Sequence, residues 1–223
     1  MTKPYLPQQR ESSINFDESA TPPPTSTRLH PRTLSIYGTL FGAGMIALAL
    51  LWAGLIRARS LSAWFPADHW LRDLLLGAGV GVLFALIAYR LIALIPAMLR
   101  IELIITQTLD MRALTVPYSL WFGLIAGIPE EILFRGALQP DIGLVVAAII
   151  FGALHAITPM YFIYATTAGL LLGGLAAWSG GLWMPVAAHV LIDVVMFLLL
   201  LARWRHYTLP DSEEKSELLD SSA

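Results

Sequence analysis

Apolar residues in this chain run in long blocks, broken only by short polar, glycine or proline stretches. The first block, Leu34 to Ile56, contains no charge. Leu74 to Met98 follows, interrupted by Arg90 and Pro96. Tyr118 to Leu138, Ile142 to Ile157, Met160 to Trp178 and Leu182 to Leu201 complete the series. A helix that crosses a bilayer needs about 20 mostly apolar residues. The pattern therefore predicts about six transmembrane helices. Between the second and third blocks, Leu99 to Arg112 mixes apolar residues with Arg100, Glu102, Asp110 and Arg112, the mark of an interfacial amphipathic stretch. The last three blocks are joined by very short turns (Thr158-Pro159 and Ser179-Gly180-Gly181), so their helices are antiparallel neighbours. That brings His155 and His189 into one compact bundle.

Composition agrees. The chain is 57% hydrophobic and 13% charged, where a soluble domain carries about 25% charged residues. The fold class is an all-α polytopic membrane helical bundle. Residues 1–33 and 208–223 read as polar tails around a membrane-embedded domain at 34–207, since segments such as Thr21-Pro22-Pro23-Pro24 cannot bury enough apolar surface to fold. The apolar region starts too far from Met1 for a cleavable signal peptide. The absence of cysteine excludes disulfides, thiolate metal sites and cysteine nucleophiles. A net charge of -2 and the lack of a basic patch exclude nucleic acid as a partner. Arg28, Arg32, Arg203 and Arg205 flank the outer ends of the domain and Arg100 and Arg112 its second connection. By the positive-inside rule both termini are cytoplasmic, with Arg57, Arg59 and Arg72 in the first loop opposing that reading. Gly77 with Gly81, Gly123 with Gly127 and Gly169 with Gly173 mark close helix contacts.

Within the third, fourth and sixth blocks lie ionisable residues that cost about 2.5–3.5 kcal/mol each at a bilayer centre. They form three clusters: Glu130 and Glu131 with Arg135; Phe151 with His155; and His189 with Asp193. Glu131 and Arg135 share a helix face and pair. Glu130 points about 100° away. A carboxylate left over in this way, beside a water, has the character of a general base. His155 supplies a second base or holds that water. His189 and Asp193 share another face, where they donate to a developing oxyanion or the aspartate orients the histidine. Taken singly, the histidines also read as hydrogen-bonding struts, Glu131 with Arg135 as a structural pair, and Phe151 as core packing. Glu130, His155 and His189 form an alternative zinc set, although no His-Glu-x-x-His helix is present.

The three clusters, Glu130-Glu131-x-x-x-Arg135, Phe151-x-x-x-His155 and His189-x-x-x-Asp193, occur in the order found in the CAAX-protease and bacteriocin-processing (CPBP or Abi) family of intramembrane endopeptidases, which this chain resembles over about 118–201. The resemblance implies a peptide hydrolase that uses a glutamate-activated water and no metal, acting on a peptide or membrane-protein substrate in the bilayer. By matching positions, Glu130 is the general base, His155 helps hold the water, and His189 and Asp193 stabilise the oxyanion. Glu131, Arg135 and Phe151 support them. Asp193 stands where the eukaryotic branch has asparagine, and an ionised carboxylate donates no hydrogen bond. This fits the bacterial branch, a location in the bacterial inner membrane, and substrates that are not prenylated. Two other functions remain open on the residues alone: a non-proteolytic binding or immunity protein, and a proton relay through Glu130, His155 and Asp193. Substrate identity and oligomeric state are not legible.

Overall fold

The computed structural model describes residues 28–58 and 60–208. The two polar tails read from the sequence lie outside the described residues, apart from Arg28 to Arg32 with Thr33 and the final Thr208. Among the described residues the chain is helical and forms no sheet.

Proline and small polar caps set the helix starts. Helix α1 (Pro31–Leu50) has Pro31 in its first turn, and the His30 ring accepts from the Arg32 amide at 3.1 Å. It continues as a π-helical segment, Leu51–Ile56. A short 3-10 turn (Leu61–Trp64) leads to α2 (Trp70–Leu94). Pro96 starts α3 (Pro96–Thr108). The residue before a proline is pushed out of helical geometry, and Ile95 is extended, so one apolar run becomes two helices. Helix α4 (Val116–Glu131) likewise begins at a proline and passes into a π-helical segment, Ile132–Leu138. A single turn, α5 (Gln139–Ile142), and α6 (Leu144–Leu154) follow. In α7 (Pro159–Ser179), Thr158 caps the start by accepting from the Tyr161 amide, and Gly180, at φ 70°, ends it in left-handed geometry. Helix α8 (Trp183–Thr208) closes the fold. A proline at a helix start removes one of the amides that would otherwise go unpaired, which matters most in lipid.

Helix α8 is the centre of the bundle. On one side Gly77 and Gly81 of α2 press against the backbone carbonyls of Met184 and Ala188. On another, Gly123 and Gly127 of α4 lie against the backbone and side chain of Val190. A side chain at any of these glycines would collide with α8. Helix α1 runs parallel to α4, with Gly38 against Ile125 and Gly42 against Pro129. Helices α6 and α7 form a tight hairpin in which Gly152 meets Phe162 and Thr166, and Gly169 meets Ala148.

The polarity of the bundle is inverted relative to a soluble protein. Tyr37, Leu40 and Phe41 of α1 and Leu71, Leu75 and Leu83 of α2 are exposed, whereas Asp73, Ser119, Glu131, Arg135 and His189 are buried. Four helical stretches are long and apolar enough to cross a membrane: Pro31–Ile56, Trp70–Ile92, Pro159–Ser179 and Trp183–His206. The fold is that of an integral membrane protein. Of the other two blocks read as spans, α4 with its π-helical extension carries Glu130, Glu131 and Arg135. Helix α6 has 11 residues. At 1.5 Å per residue it reaches about half of a ~30 Å hydrocarbon core.

Candidate active site

Glu131 is fully buried, and a single oxygen organises the site. Its Oε1 accepts from Arg135 Nη1 at 2.7 Å and from His189 Nδ1 at 2.7 Å. Arg135 completes its own bonding by donating Nη2 to the Gly169 carbonyl at 3.1 Å, and its guanidinium carbon lies 4.8 Å from the Phe151 ring centroid. α4, α6, α7 and α8 are thereby tied together through one ion pair. The pair sits where α4 widens into its π-helical segment, a distortion frequently found at functional sites.

The two histidines are both held through Nδ1. His155 follows the last turn of α6, where its Nδ1 lies 2.8 Å from the Phe151 carbonyl. A carbonyl only accepts, so Nδ1 carries the proton and Nε2 presents a lone pair in the neutral ring. His189 Nδ1 likewise donates, to the Glu131 carboxylate. Both Nε2 atoms then turn toward Glu130. Glu130 Oε2 is 3.8 Å from His155 Nε2 and 3.8 Å from His189 Nε2. That oxygen is buried and has no hydrogen-bond partner within the protein. Asp193 Oδ2 lies 3.7 Å from His189 Nε2. These separations are too long for direct hydrogen bonds and short enough for one water to bridge.

Glu130, His155, His189 and Asp193 line one cavity of about 220 Å³. Two residues that sequence reasoning missed join them there: Tyr161 and Tyr164, on the first turns of α7. Their i, i+3 spacing right after the His155 turn was the available signal. Both tyrosines, with Asp193 and Phe197, also line an adjoining apolar groove of about 130 Å³ beside α3. Phe151 closes the cavity floor, with its ring edge-on to Phe134 at 5.1 Å and 4.5 Å from His155.

All seven residues singled out from the sequence converge here. One geometric detail differs from expectation: Glu131 holds His189 Nδ1, while Asp193 faces the other ring nitrogen. His155 also sits at a turn, beyond the end of its helix. Glu130, His155 and His189, the alternative zinc set, approach one another, but among the described residues no group of three or more such side chains is arranged to hold a metal ion.

This geometry defines a membrane-embedded helical bundle around a buried carboxylate and histidine centre. Residues 112–195, which contain Glu130, Glu131, Arg135, His155, Tyr161, Tyr164, His189 and Asp193, match the family described as type II CAAX prenyl endopeptidase Rce1-like. The uncharacterized protein YpbD of Bacillus subtilis (strain 168) is 40% identical over 84 residues, 36% of this chain and 44% of the relative. The chain thus spans less than half the length of that curated relative. No solved structure matches.

Proposed function

We propose that this chain is an intramembrane endopeptidase that hydrolyses a peptide bond of a membrane-associated or peptide substrate. Glu130 is the general base. It takes a proton from a water held between its Oε2 and His155 Nε2, and the water oxygen bonds to the peptide carbonyl carbon. The carbonyl becomes an oxyanion. As it collapses, the C–N bond breaks and the leaving nitrogen takes the proton from Glu130. His155 helps hold the water, and His189 with Asp193 beside it stabilises the oxyanion. Glu131 and Arg135 position His189.

One observation carries this reading. Glu130 Oε2 is buried, without a hydrogen-bond partner within the protein, and 3.8 Å from the Nε2 atom of each of two histidines. A structural strut would pair that oxygen directly, because an unpaired buried carboxylate is costly. We place the protein in the bacterial inner membrane with both termini cytoplasmic. The reaction as written requires neither a metal nor a prenyl group on the substrate.

The test is cleavage of a broad peptide library by detergent-purified protein, wild type against Glu130→Gln, with and without chelator. Loss of a general base costs about 10²–10⁴-fold. We expect the folded variant to lose activity by at least about 10²-fold and chelator to have no effect. A folded Glu130→Gln variant that cuts at the wild-type rate sinks the assignment. Activity lost to chelator and restored by zinc moves water activation to a metal on Glu130, His155 and His189. No cleavage by either form favours a non-proteolytic binding or immunity role.

A further inference from the structure

Helix α3 presents Met98, Ile101, Glu102 and Ile105 to the groove that adjoins the site cavity. Their i, i+3, i+4, i+7 spacing makes one helix face. The break at Ile95 and Pro96 separates this face from α2. Glu102 pairs with Arg203 of α8 at 3.2 Å, so the one charge of the stripe is matched within the protein and ties α3 to α8. Ile92 of α2 and Met196 and Leu200 of α8 add to the apolar wall.

Size and continuity identify the occupant. The groove measures about 130 Å³. A dry apolar cavity of about 150 Å³ holds one benzene-sized group. Tyr161, Tyr164, Asp193 and Phe197 line both the groove and the site cavity. A substrate backbone held in that cavity therefore has the groove beside it. A charged side chain entering there would lose its water among isoleucines and leucine, at a high cost. Met98 and Met196 adapt to different apolar shapes, which suits selection by size and polarity rather than by outline.

We infer that this groove is the specificity pocket for one large apolar side chain, of leucine, methionine or phenylalanine size, on a substrate residue that flanks the scissile bond. The inference rests on the proteolytic reading of the site and adds a substrate class to it. Burial of that side chain supplies binding energy from a part of the substrate that does not react, and so positions the carbonyl for attack. Ile101 on α3 and Met196 on α8 set the size of the pocket.

The experiment measures kcat/KM in detergent on quenched-fluorescence peptides in which the residue on each side of the cut is, in turn, alanine, leucine, phenylalanine, tryptophan or aspartate. One methylene more or less in an apolar pocket changes kcat/KM by about 10–200-fold. We expect the wild type to favour leucine or phenylalanine over alanine by at least about 10-fold at one of the two positions, with aspartate the poorest. Ile101→Trp fills the groove and brings the leucine-to-alanine ratio close to one. Met196→Ala enlarges it and moves the optimum to tryptophan. Leu103→Trp, on the same helix but exposed and outside the groove, keeps the wild-type ratio. A ratio taken on one preparation is unaffected by the fraction of protein that is folded, so a merely structural role of Ile101 does not move it. Equal cleavage of all the peptides by the wild type, or an unchanged ratio in Ile101→Trp, with Glu130→Gln inactive, overturns the pocket and leaves the protease reading standing. Full activity in Glu130→Gln, or no cleavage of any peptide by the wild type, removes the protease reading and this inference with it.

Discussion

Glu131 accepts two hydrogen bonds on one oxygen, and that arrangement distinguishes it from its neighbour Glu130. The spacing of Glu131 and Arg135 already marked them as a pair, because residues four apart share a helix face. The bond from His189 was not legible. The two residues are 58 positions apart, and only the packing of α4 on α8 brings them within 2.7 Å. Likewise His189 and Asp193 share a face as their spacing implies, yet the choice of which ring nitrogen meets which carboxylate is made by the tertiary fold. The pair's energetic role is testable. Both side chains are at most 2% exposed, and removal of one partner leaves the other charge buried without compensation. Breaking such a pair costs about 3–5 kcal/mol. Arg135→Leu is expected to lower stability by about that amount, read as a fall in melting temperature in detergent. A variant that melts with the wild type would mean that the ion pair does not hold the helices together.

At the scale of elements, α8 carries His189 and Asp193, and glycines on two neighbouring helices set its position. The four-residue glycine spacing in α2 and α4 was visible in the sequence, because small residues at that interval permit close backbone approach. Three features were not visible. An unbroken apolar run hides where a helix stops, so α6 ends at Leu154 within a block that reads as a longer span. The π-helical widening after Glu131 leaves no periodic mark in so apolar a segment. Tyr161 and Tyr164 read as ordinary aromatics of a span until α7 is seen to begin at the site. Gly81 and Gly79 separate close packing from mere helix propensity. A Cβ at Gly81 meets the Ala188 backbone, whereas one at Gly79 meets nothing within 4 Å. Overpacking of this kind costs about 1–3 kcal/mol or more. Gly81→Val should therefore destabilise the protein by at least about 1 kcal/mol and displace the face of α8 that bears His189 and Asp193. Gly79→Ala should match the wild type in both melting temperature and cleavage. Equal behaviour of the two variants would remove the case for glycine-set positioning.

At the scale of the molecule, the fold decides which ends of the helices share a side. Leu34 near the start of α1 and Leu201 and Trp204 near the end of α8 pack into one cluster with Leu109, Met111 and Leu114. A backbone bridge also joins Leu29 to Leu109. Both ends of the described chain thus lie on the same side as the α3 to α4 connection. The first loop lies at the opposite end, where Trp64 accepts from the Leu182 amide and Arg57 pairs with Asp141 at 2.8 Å. This bears on the arginine distribution, which was conflicted when read along the sequence. Arg28, Arg32, Arg100, Arg112, Arg203 and Arg205 belong to one side, and Arg57 and Arg72 to the other, so the side bearing the termini holds the larger share. By the positive-inside rule this share supports the proposal that the termini are cytoplasmic. Because the chain contains no cysteine, the arrangement can be read with single cysteines at exposed positions. In intact cells, a membrane-impermeant maleimide should label Ser60→Cys and spare Arg32→Cys and His206→Cys, and in inside-out vesicles the pattern should reverse. Arg32→Cys and His206→Cys reacting from opposite sides would contradict the helix arrangement itself. Both reacting in intact cells while Ser60→Cys is protected would keep the arrangement and invert its orientation, and the loop arginines would then be the ones that direct insertion.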